Sequence, residues 1–282
     1  MVGFNFKSVY TIAKKEFMDN IRSKWIIAIS IIFIILTIVS SYVAGGQGEF
    51  GSMEETVVSL LSISVLLIPL ISIMLGFSTI AGEAEKGALY VILSYPVRRV
   101  EVLIGKFLGL GAVLAVTPFI GFGLGGIVIA ATVGAEEGLA YLAFIILTII
   151  LGLMYLSAVI FISALCKTRV RAIAGGVVLF FWAMIYGLIL MSLYIASGGS
   201  YEDFFSATGL SGLPDWFWAS VVFSPGDLNQ MTVMRAFDIN QAFGFQIEAP
   251  DWLSMPFLLA VQMIWISIPL ILAYFTFERR DI

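Results

Sequence analysis

The feature that most constrains this chain is a series of six apolar stretches, each at least 20 residues long and free of Asp, Glu, Lys and Arg. A helix needs about 20 residues to cross about 30 Å of hydrocarbon. The whole sequence is 12% charged, whereas a soluble domain carries about 25% charged residues. We therefore predict an all-α integral membrane protein with six transmembrane helices at residues 25–44, 57–80, 107–133, 139–165, 172–197 and 255–277.

The basic residues are divided unevenly among the segments between these stretches. Of the 15 Lys and Arg, 14 fall in one alternate set of segments, and only Arg235 falls in the other. The basic set comprises residues 1–24, 81–106, 166–171 and 278–282. Because Lys and Arg in short loops stay on the cytoplasmic side, we predict that both termini are cytoplasmic in a prokaryotic cell membrane. The segments predicted to lie outside are 45–56, 134–138 and 198–254.

The first basic segment has helical periodicity at residues 4–24. At 100° per residue, its apolar side chains form one stripe, made up of Phe6, Tyr10, Ala13, Phe17 and Ile21. Lys14 flanks this stripe, so its stem can lie on apolar surface while its ammonium reaches lipid phosphates. This pattern predicts an interfacial helix lying on the lipid bilayer, with an amphipathic helix packed on a soluble partner as the alternative.

The acidic outer segment, 198–254, contains the apolar run WFWASVVF at 216–223. Eight residues are too few to cross a bilayer as a helix, so we predict short interfacial helices in this segment. Trp216 and Trp218 are typical of the aromatic belt at a membrane surface. We predict that these helices cap the outer end of a pathway, with Trp216, Trp218, Pro225 and Asp227 in the cap. Met231 and Met234 are three residues apart, but in a chain with 11 methionines we favour a chance pair over a copper site.

The segment AGEAEKGALYVILSYPVRRVEVLIGK, residues 81–106, places charges around a short apolar run. Its pattern predicts a helix at about 84–94, with acids in the first turn and Pro96 ending it. Leu89, Ile92 and Leu93 would share one exposed face of that helix. Such a face either docks onto a cytoplasmic partner or folds back onto the membrane surface, and the pattern alone favours neither.

Several kinds of chemistry lack the residues they need. None of the six predicted spans carries an ionisable side chain for a proton relay, and the chain has no histidine. The single cysteine, Cys166, has no disulfide partner, and neither a P-loop nor an H-E-x-x-H motif is present. We therefore expect a protein that is not an enzyme and that holds no metal or cofactor and binds no nucleic acid.

The segment 83–109, EAEKGALYVILSYPVRRVEVLIGKFLG, resembles the first cytoplasmic loop of ABC-2-type permeases, the membrane subunits of ATP-binding-cassette transporters. The usual form there has threonine where this chain has Ala88. YTIAKKEFMDNIRSKW at 10–25, FSPGDLNQMTVM at 223–234 and FERRDI at 277–282 are similar to the subgroup that includes the permease of the nitrous-oxide reductase maturation system. Pro225 and Asp227 are the proline and aspartate of its S/N-P-x-D segment. The resemblance covers nearly the whole chain.

The resemblance implies that two permease copies assemble with two cytoplasmic ATPase subunits, which bind the ATP and Mg²⁺. The helix at 84–94 would be the coupling helix, seated in the ATPase, and substrate would be exported. The residues assigned to coupling are Glu83, Glu85 and Gly87 at the helix start, Leu89, Ile92 and Leu93 on its docking face, and Ser94, Pro96, Arg98 and Arg99 at its exit.

Two alternatives stay open. The first is a six-span scaffold that recruits a cytoplasmic partner without transport, and the second is an ABC complex that transmits force to an extracytoplasmic partner. The substrate is left open.

Overall fold

The computed structural model describes residues 4–44, 53–132, 136–201, 203, 213–239, 241–242, 245–246 and 249–280. Within these residues the chain is almost entirely helical. The elements that precede the outer segment are α1 (Phe6–Ile21), α2 (Lys24–Ala44), α3 (Met53–Gly76), α4 (Ala81–Glu85), α5 (Ala88–Leu93), α6 (Arg99–Thr132), α7 (Glu136–Leu165) and α8 (Arg169–Ala196). The remaining helices are α9 (Asp215–Ser220), α10 (Pro225–Ala236) and α11 (Met255–Glu278).

Five helices, α3, α6, α7, α8 and α11, are long and apolar enough to cross a membrane. They match five of the predicted spans. In α2, the stretch with described side chains, Ile27–Ser40, is apolar but shorter than a full crossing. Parts of the predicted loops, residues 45–52 and 134–135, lie outside the described residues, as does residue 133 at the end of a predicted span.

The five long helices differ in how much of each is covered by the rest of the chain. α7 is the most buried and α8 the least. α7 occupies the centre, where it packs against α3, α6 and α11. Hydroxyl groups bind backbone carbonyls across these contacts, from Ser72 to Gly152 at 3.0 Å and from Ser157 to Trp265 at 3.1 Å. In apolar surroundings such bonds satisfy hydroxyls that would otherwise be costly to bury.

Helix α1 packs along α6 through two glycines. A Cβ at Gly105 would lie 2.8 Å from Ile12, and one at Gly109 would lie 2.5 Å from the Ala13 carbonyl oxygen. The G-x-x-x-G spacing therefore lets two helix backbones approach closely, which is packing within one chain. Asn5 caps α1 by accepting a hydrogen bond from the Lys7 amide at 3.0 Å.

The predicted helix at 84–94 is in fact two helices, α4 and α5, which corrects the sequence-based prediction. Gly87 separates them with a φ of +73°, a left-handed conformation that a residue with a Cβ rarely adopts. Glu83 and Glu85 therefore belong to α4 and not to the first turn of the helix that carries Leu89.

Helix α6 also begins at Arg99, eight residues before the predicted span at 107. Hydropathy locates the edge of the apolar run. The helix α6 extends beyond that edge, and the charged side chains of its first turns have partners.

The outer segment folds against the opposite end of the bundle. α9 is followed by a 3₁₀ turn at Val221–Phe223 and by α10, which packs against α7 and α11. A short antiparallel pairing joins Gln241–Ala242 to Phe245–Gln246. The expected short helices are thus present in this segment.

Candidate functional site

Arginine side chains tie the helix ends together at one end of the bundle. We call it the basic end, where α1, α4, α5 and the last turns of α7 and α11 meet. The Arg99 guanidinium donates to the carbonyls of Phe277, Glu278 and Arg280 at 2.5–2.9 Å, which caps the end of α11. The Arg280 guanidinium donates to the Ala164 carbonyl at 3.2 Å, at the end of α7. Cations at these positions donate hydrogen bonds to the last carbonyls of each helix, and they interact favourably with the negative end of the helix dipole.

The start of α4 is fixed by a hydroxyl on α7. Ser163 Oγ accepts hydrogen bonds from the Ile80 and Ala81 amides at 3.1 and 3.0 Å, and it donates to the Phe77 carbonyl at 2.8 Å. At the other end of α4, a Glu85 carboxylate oxygen accepts a hydrogen bond from the Arg169 amide at 2.8 Å. Short helix α4 is therefore bound to both α7 and α8.

A buried group of three charges, which we call the Lys106 triad, joins three helices at the basic end. The Lys106 ammonium lies 2.8 Å from a Glu16 carboxylate oxygen on α1 and 2.7 Å from a Glu83 oxygen on α4. The Lys106 side chain is fully buried, whereas those of Glu16 and Glu83 are 8% and 21% exposed. A buried ammonium requires such partners, since an unpaired one would carry a large desolvation cost.

A polar cleft of about 260 Å³ opens beside this triad, with Lys15 on its wall. Burial lowers the pKa of Lys15, but the carboxylates of Glu16, Glu83 and Asp19 outweigh that effect and raise it above its usual value. The Lys15 ammonium is accordingly held in the charged form close to the triad.

Glu101, in the first turn of α6, is fully buried and binds backbone amides on both sides. Its carboxylate accepts hydrogen bonds from the Asn5 amide at 2.7 Å and the Arg98 amide at 3.1 Å. It thereby caps α6 and holds the start of α1 against it.

The exposed face of α5 is not the predicted one. Leu89 is fully buried in an apolar cluster with Val102 and Phe277, and Ile92 and Leu93 are partly buried against the same cluster. The prediction that these three form an exposed docking face is therefore wrong for Leu89. Chain-internal packing uses that side of the helix, because the neighbouring helix ends present apolar side chains at the same level.

The apolar side chains that α5 leaves exposed are Tyr90 at 56% and Val91 at 62%, with Tyr95 at 66% just beyond the helix. We call this set the Tyr90 face. Sequence periodicity could not assign it, because two sides of so short a helix are apolar.

The other residues assigned to coupling surround this unit. Ser94 caps α5, and Ser94, Pro96 and Arg98 are exposed, whereas Arg99 is half-buried at the end of α11. On α1, Phe6, Tyr10 and Lys14 are exposed and Phe17 and Ile21 are half-buried against the bundle. Two aromatic side chains and a lysine are thus exposed along one side of α1, next to the side that packs on α6.

At the opposite end of the bundle, α10 buries polar groups. The side chain of Asn229, the hydroxyl of Tyr155 and one carboxylate oxygen of Asp227 have no hydrogen-bond partner among the described residues. Burial raises the pKa of Asp227, and a hydrogen bond with Ser224 opposes that shift. Such unpartnered groups are rare in folded proteins and are the usual sites for internal water.

The four residues predicted to form the outer cap lie near one another in the sequence but differ in exposure. Trp216 is 41% exposed, whereas Trp218 is 2% exposed and belongs to the main apolar cluster, so the prediction of a surface-belt role is wrong for Trp218. Pro225 begins α10, at the first helical position, which favours proline, and its side chain is buried. Met231 and Met234 are also buried in the apolar cluster.

Glu16, Lys106 and Glu101 are structural ties that were not predicted from the sequence. The G-x-x-x-G at 105–109 indicates that another helix can approach this part of α6 closely. The carboxylate of Glu16 on α1 was an available partner for Lys106. Neither feature identifies the partner by itself.

The sequence matches the family described as ABC-2 family transporter protein over residues 10–282. It is 32% identical to the probable ABC transporter permease protein NosY of Stutzerimonas stutzeri over 288 aligned positions, covering 96% of this chain and 98% of that protein. It is also 32% identical to the probable ABC transporter permease protein NosY of Pseudomonas aeruginosa over 283 positions, covering 97% and 99%.

Proposed function

Because the chain belongs to the ABC-2 family and is an ABC transporter permease, we propose that it couples ATP hydrolysis by a separate ATPase to export through the bundle. A permease of this class works with an ATPase subunit and is not itself an enzyme. On this proposal two permease copies assemble with two ATPase subunits, which bind ATP and Mg²⁺, and the resting complex is a homodimer of this chain in a prokaryotic plasma membrane.

The proposed topology has six spans, with α2 as the first, and places the basic end in the cytosol. α2 extends over 21 residues, enough for a crossing at 1.5 Å per residue. The concentration of Lys and Arg at the basic end supports the same orientation. α1 then lies at the cytoplasmic membrane surface with Phe6, Tyr10 and Lys14 toward the lipid.

The Tyr90 face carries the coupling proposal. The helix α5 is anchored on one side through Leu89, while Tyr90 and Val91 remain exposed at the basic end. Burying these two side chains against an ATPase would contribute about 1.5–3 kcal/mol each before the ordering costs of association. Because Leu89 is packed in the bundle, a displacement of α5 would be transmitted to the bundle through that side chain.

Replacing both exposed side chains tests this proposal. The variant Tyr90→Ser with Val91→Ser should lose a co-expressed ATPase subunit during purification, whereas Tyr90→Phe with Val91→Ile should retain it. The thermal stability of the permease alone should be unchanged in both. If the serine variant kept the ATPase at wild-type stoichiometry, α5 would not be the coupling helix.

A further inference from the structure

A second cleft at the basic end lies between the last turns of α7 and α11. Its volume is about 820 Å³, and α4 and α5 form its third side. The wall on the membrane side is apolar and consists of Phe161, Leu165, Leu272 and Phe275. The rim toward the basic end carries three cations, Lys167, Arg279 and Arg280. The cleft is therefore amphipathic along its depth.

Two of the three rim cations have no acidic partner within the described part of the chain. Lys167 and Arg279 are exposed, and across the described part of the chain neither forms an ion pair. Arg280 is half-buried and directs its guanidinium at the end of α7. Glu85 is the acidic residue on the wall, and one oxygen of its carboxylate already binds the Arg169 amide. The described lining would therefore present a net positive charge to an anion at the rim.

The apolar wall continues along α11 away from the rim. Phe257, Ile264, Ile268 and Phe275 are 39–51% exposed and follow one another at intervals of seven, four and seven residues, so they share one side of the helix. A second groove, of about 390 Å³, lies on this side in the other half of α11, with Val222 and Phe223 on its wall. From Phe257 to Arg279 the helix rises about 33 Å, so one apolar strip with cations at a single end runs the depth of a bilayer.

We propose that the half of this strip nearest the rim holds an anionic phospholipid, with its phosphate between Lys167 and Arg279 and its acyl chains along α11. Cationic clefts between helix ends at the membrane surface bind such headgroups, and lysine and arginine stems lie along apolar surface while their charges reach phosphate. A free phosphate would leave the apolar wall uncovered. The inference uses the proposed orientation only to assign the lipid to the cytoplasmic leaflet.

An ATPase surface does not fit the strip as well. A soluble partner stops at the membrane surface, whereas the exposed apolar side chains continue along the whole of α11. The Tyr90 face lies on α5, and one of its members, Tyr90, also lines the cleft. The test must therefore separate lipid binding from ATPase binding.

Native mass spectrometry of the detergent-purified permease, titrated with phosphatidylglycerol or with phosphatidylcholine, measures the binding directly. Wild-type protein should retain phosphatidylglycerol in preference to phosphatidylcholine. Lys167→Ala with Arg279→Ala should weaken phosphatidylglycerol binding by about 30-fold, the value for two surface cations. The matched control, Arg22→Ala with Lys24→Ala, removes two exposed cations at the same end but outside the cleft and should bind as wild type does.

Three further measurements decide the nature of the ligand. Inorganic phosphate at millimolar concentration should not displace the lipid, and displacement would reduce the site to a simple anion site and overturn the proposal. Leu272→Ala with Phe275→Ala should weaken long-chain phosphatidylglycerol more than a short-chain form, and equal weakening would also overturn it.

Co-purification with the ATPase is the last of these measurements. The Lys167 and Arg279 double variant should keep the ATPase, and loss of the ATPase with unchanged lipid preference would assign the cleft to the ATPase instead. Because lipid binding is measured on the permease alone, its failure is distinct from failure of the coupling proposal.

Discussion

Removing the ammonium of the Lys106 triad should be the most damaging single charge change at the basic end. In Lys106→Met, the carboxylates of Glu16 and Glu83 stay in place without the group that lies 2.8 and 2.7 Å from them. Breaking a buried ion pair by removing one partner costs about 3–5 kcal/mol, because an uncompensated charge remains buried. Although the Glu83 side chain is 21% exposed, one of its carboxylate oxygens is buried without a partner among the described residues, so we expect a loss within that range.

The expected loss is measured as the free energy of unfolding in mixed detergent micelles titrated with sodium dodecyl sulfate. Lys86→Met is the matched control, because Lys86 is exposed at the end of α4, the helix that carries Glu83, and its replacement removes the same charge. That variant should change the free energy by no more than about 0.5 kcal/mol.

Neutralising the whole triad provides the sharper comparison. Lys106→Met combined with Glu16→Gln and Glu83→Gln leaves no buried charge, so the triple variant should be more stable than Lys106→Met alone. A triple variant that lost the sum of the three single effects would show that the charges do not interact. A Lys106→Met variant as stable as Lys86→Met would refute the burial argument itself.

Two other predictions concern the opposite end of the bundle and the packing of α1. Because the folded-state pKa of Asp227 is raised, the stability that its neutral form contributes is present at low pH and is lost as the pH rises through the raised pKa. Thermal unfolding should therefore show that Asp227→Asn stabilises the protein at pH 7 but not near pH 4. Equal effects at both pH values would contradict burial of the carboxyl group. In the sodium dodecyl sulfate titration, Gly109→Ala should lower the free energy of unfolding by about 1–3 kcal/mol, because the new methyl group meets the Ala13 backbone. Gly123→Ala, with open space around it, should be neutral. Equal costs for the two variants would refute the α1–α6 packing.

The membrane helices were predictable because their signal is local. An uninterrupted apolar run identifies a helix regardless of its neighbours, and α11 was predicted at 255–277 and lies at Met255–Glu278. The start of α6 was not predictable in the same way. Its first two turns carry Glu101 and Lys106, which hydropathy assigns to a loop although the structure buries both.

The orientation of short elements and the pairing of distant charges lay beyond the sequence. On α5, Leu89 and Tyr90 are both apolar, and only the tertiary arrangement determines that the first is buried and the second exposed. The Lys106–Glu16 pair joins residues 90 positions apart, and no local pattern encodes such a contact. Trp218 was assigned to the membrane surface for the same reason, since composition does not reveal that the main apolar cluster includes it.

The ties at the basic end determine how a displacement of α5 would spread through a coupled permease. Leu89 is packed in the same apolar cluster as Phe277 of α11, and Ser163 of α7 holds the start of α4. Glu83 then links α4 to α6 and, through Lys106, to α1. α8 is joined to α4 through the Glu85 bond and is otherwise the least buried of the five long helices. A force applied to the Tyr90 face would therefore reach the ends of α1, α6, α7, α8 and α11 through these contacts.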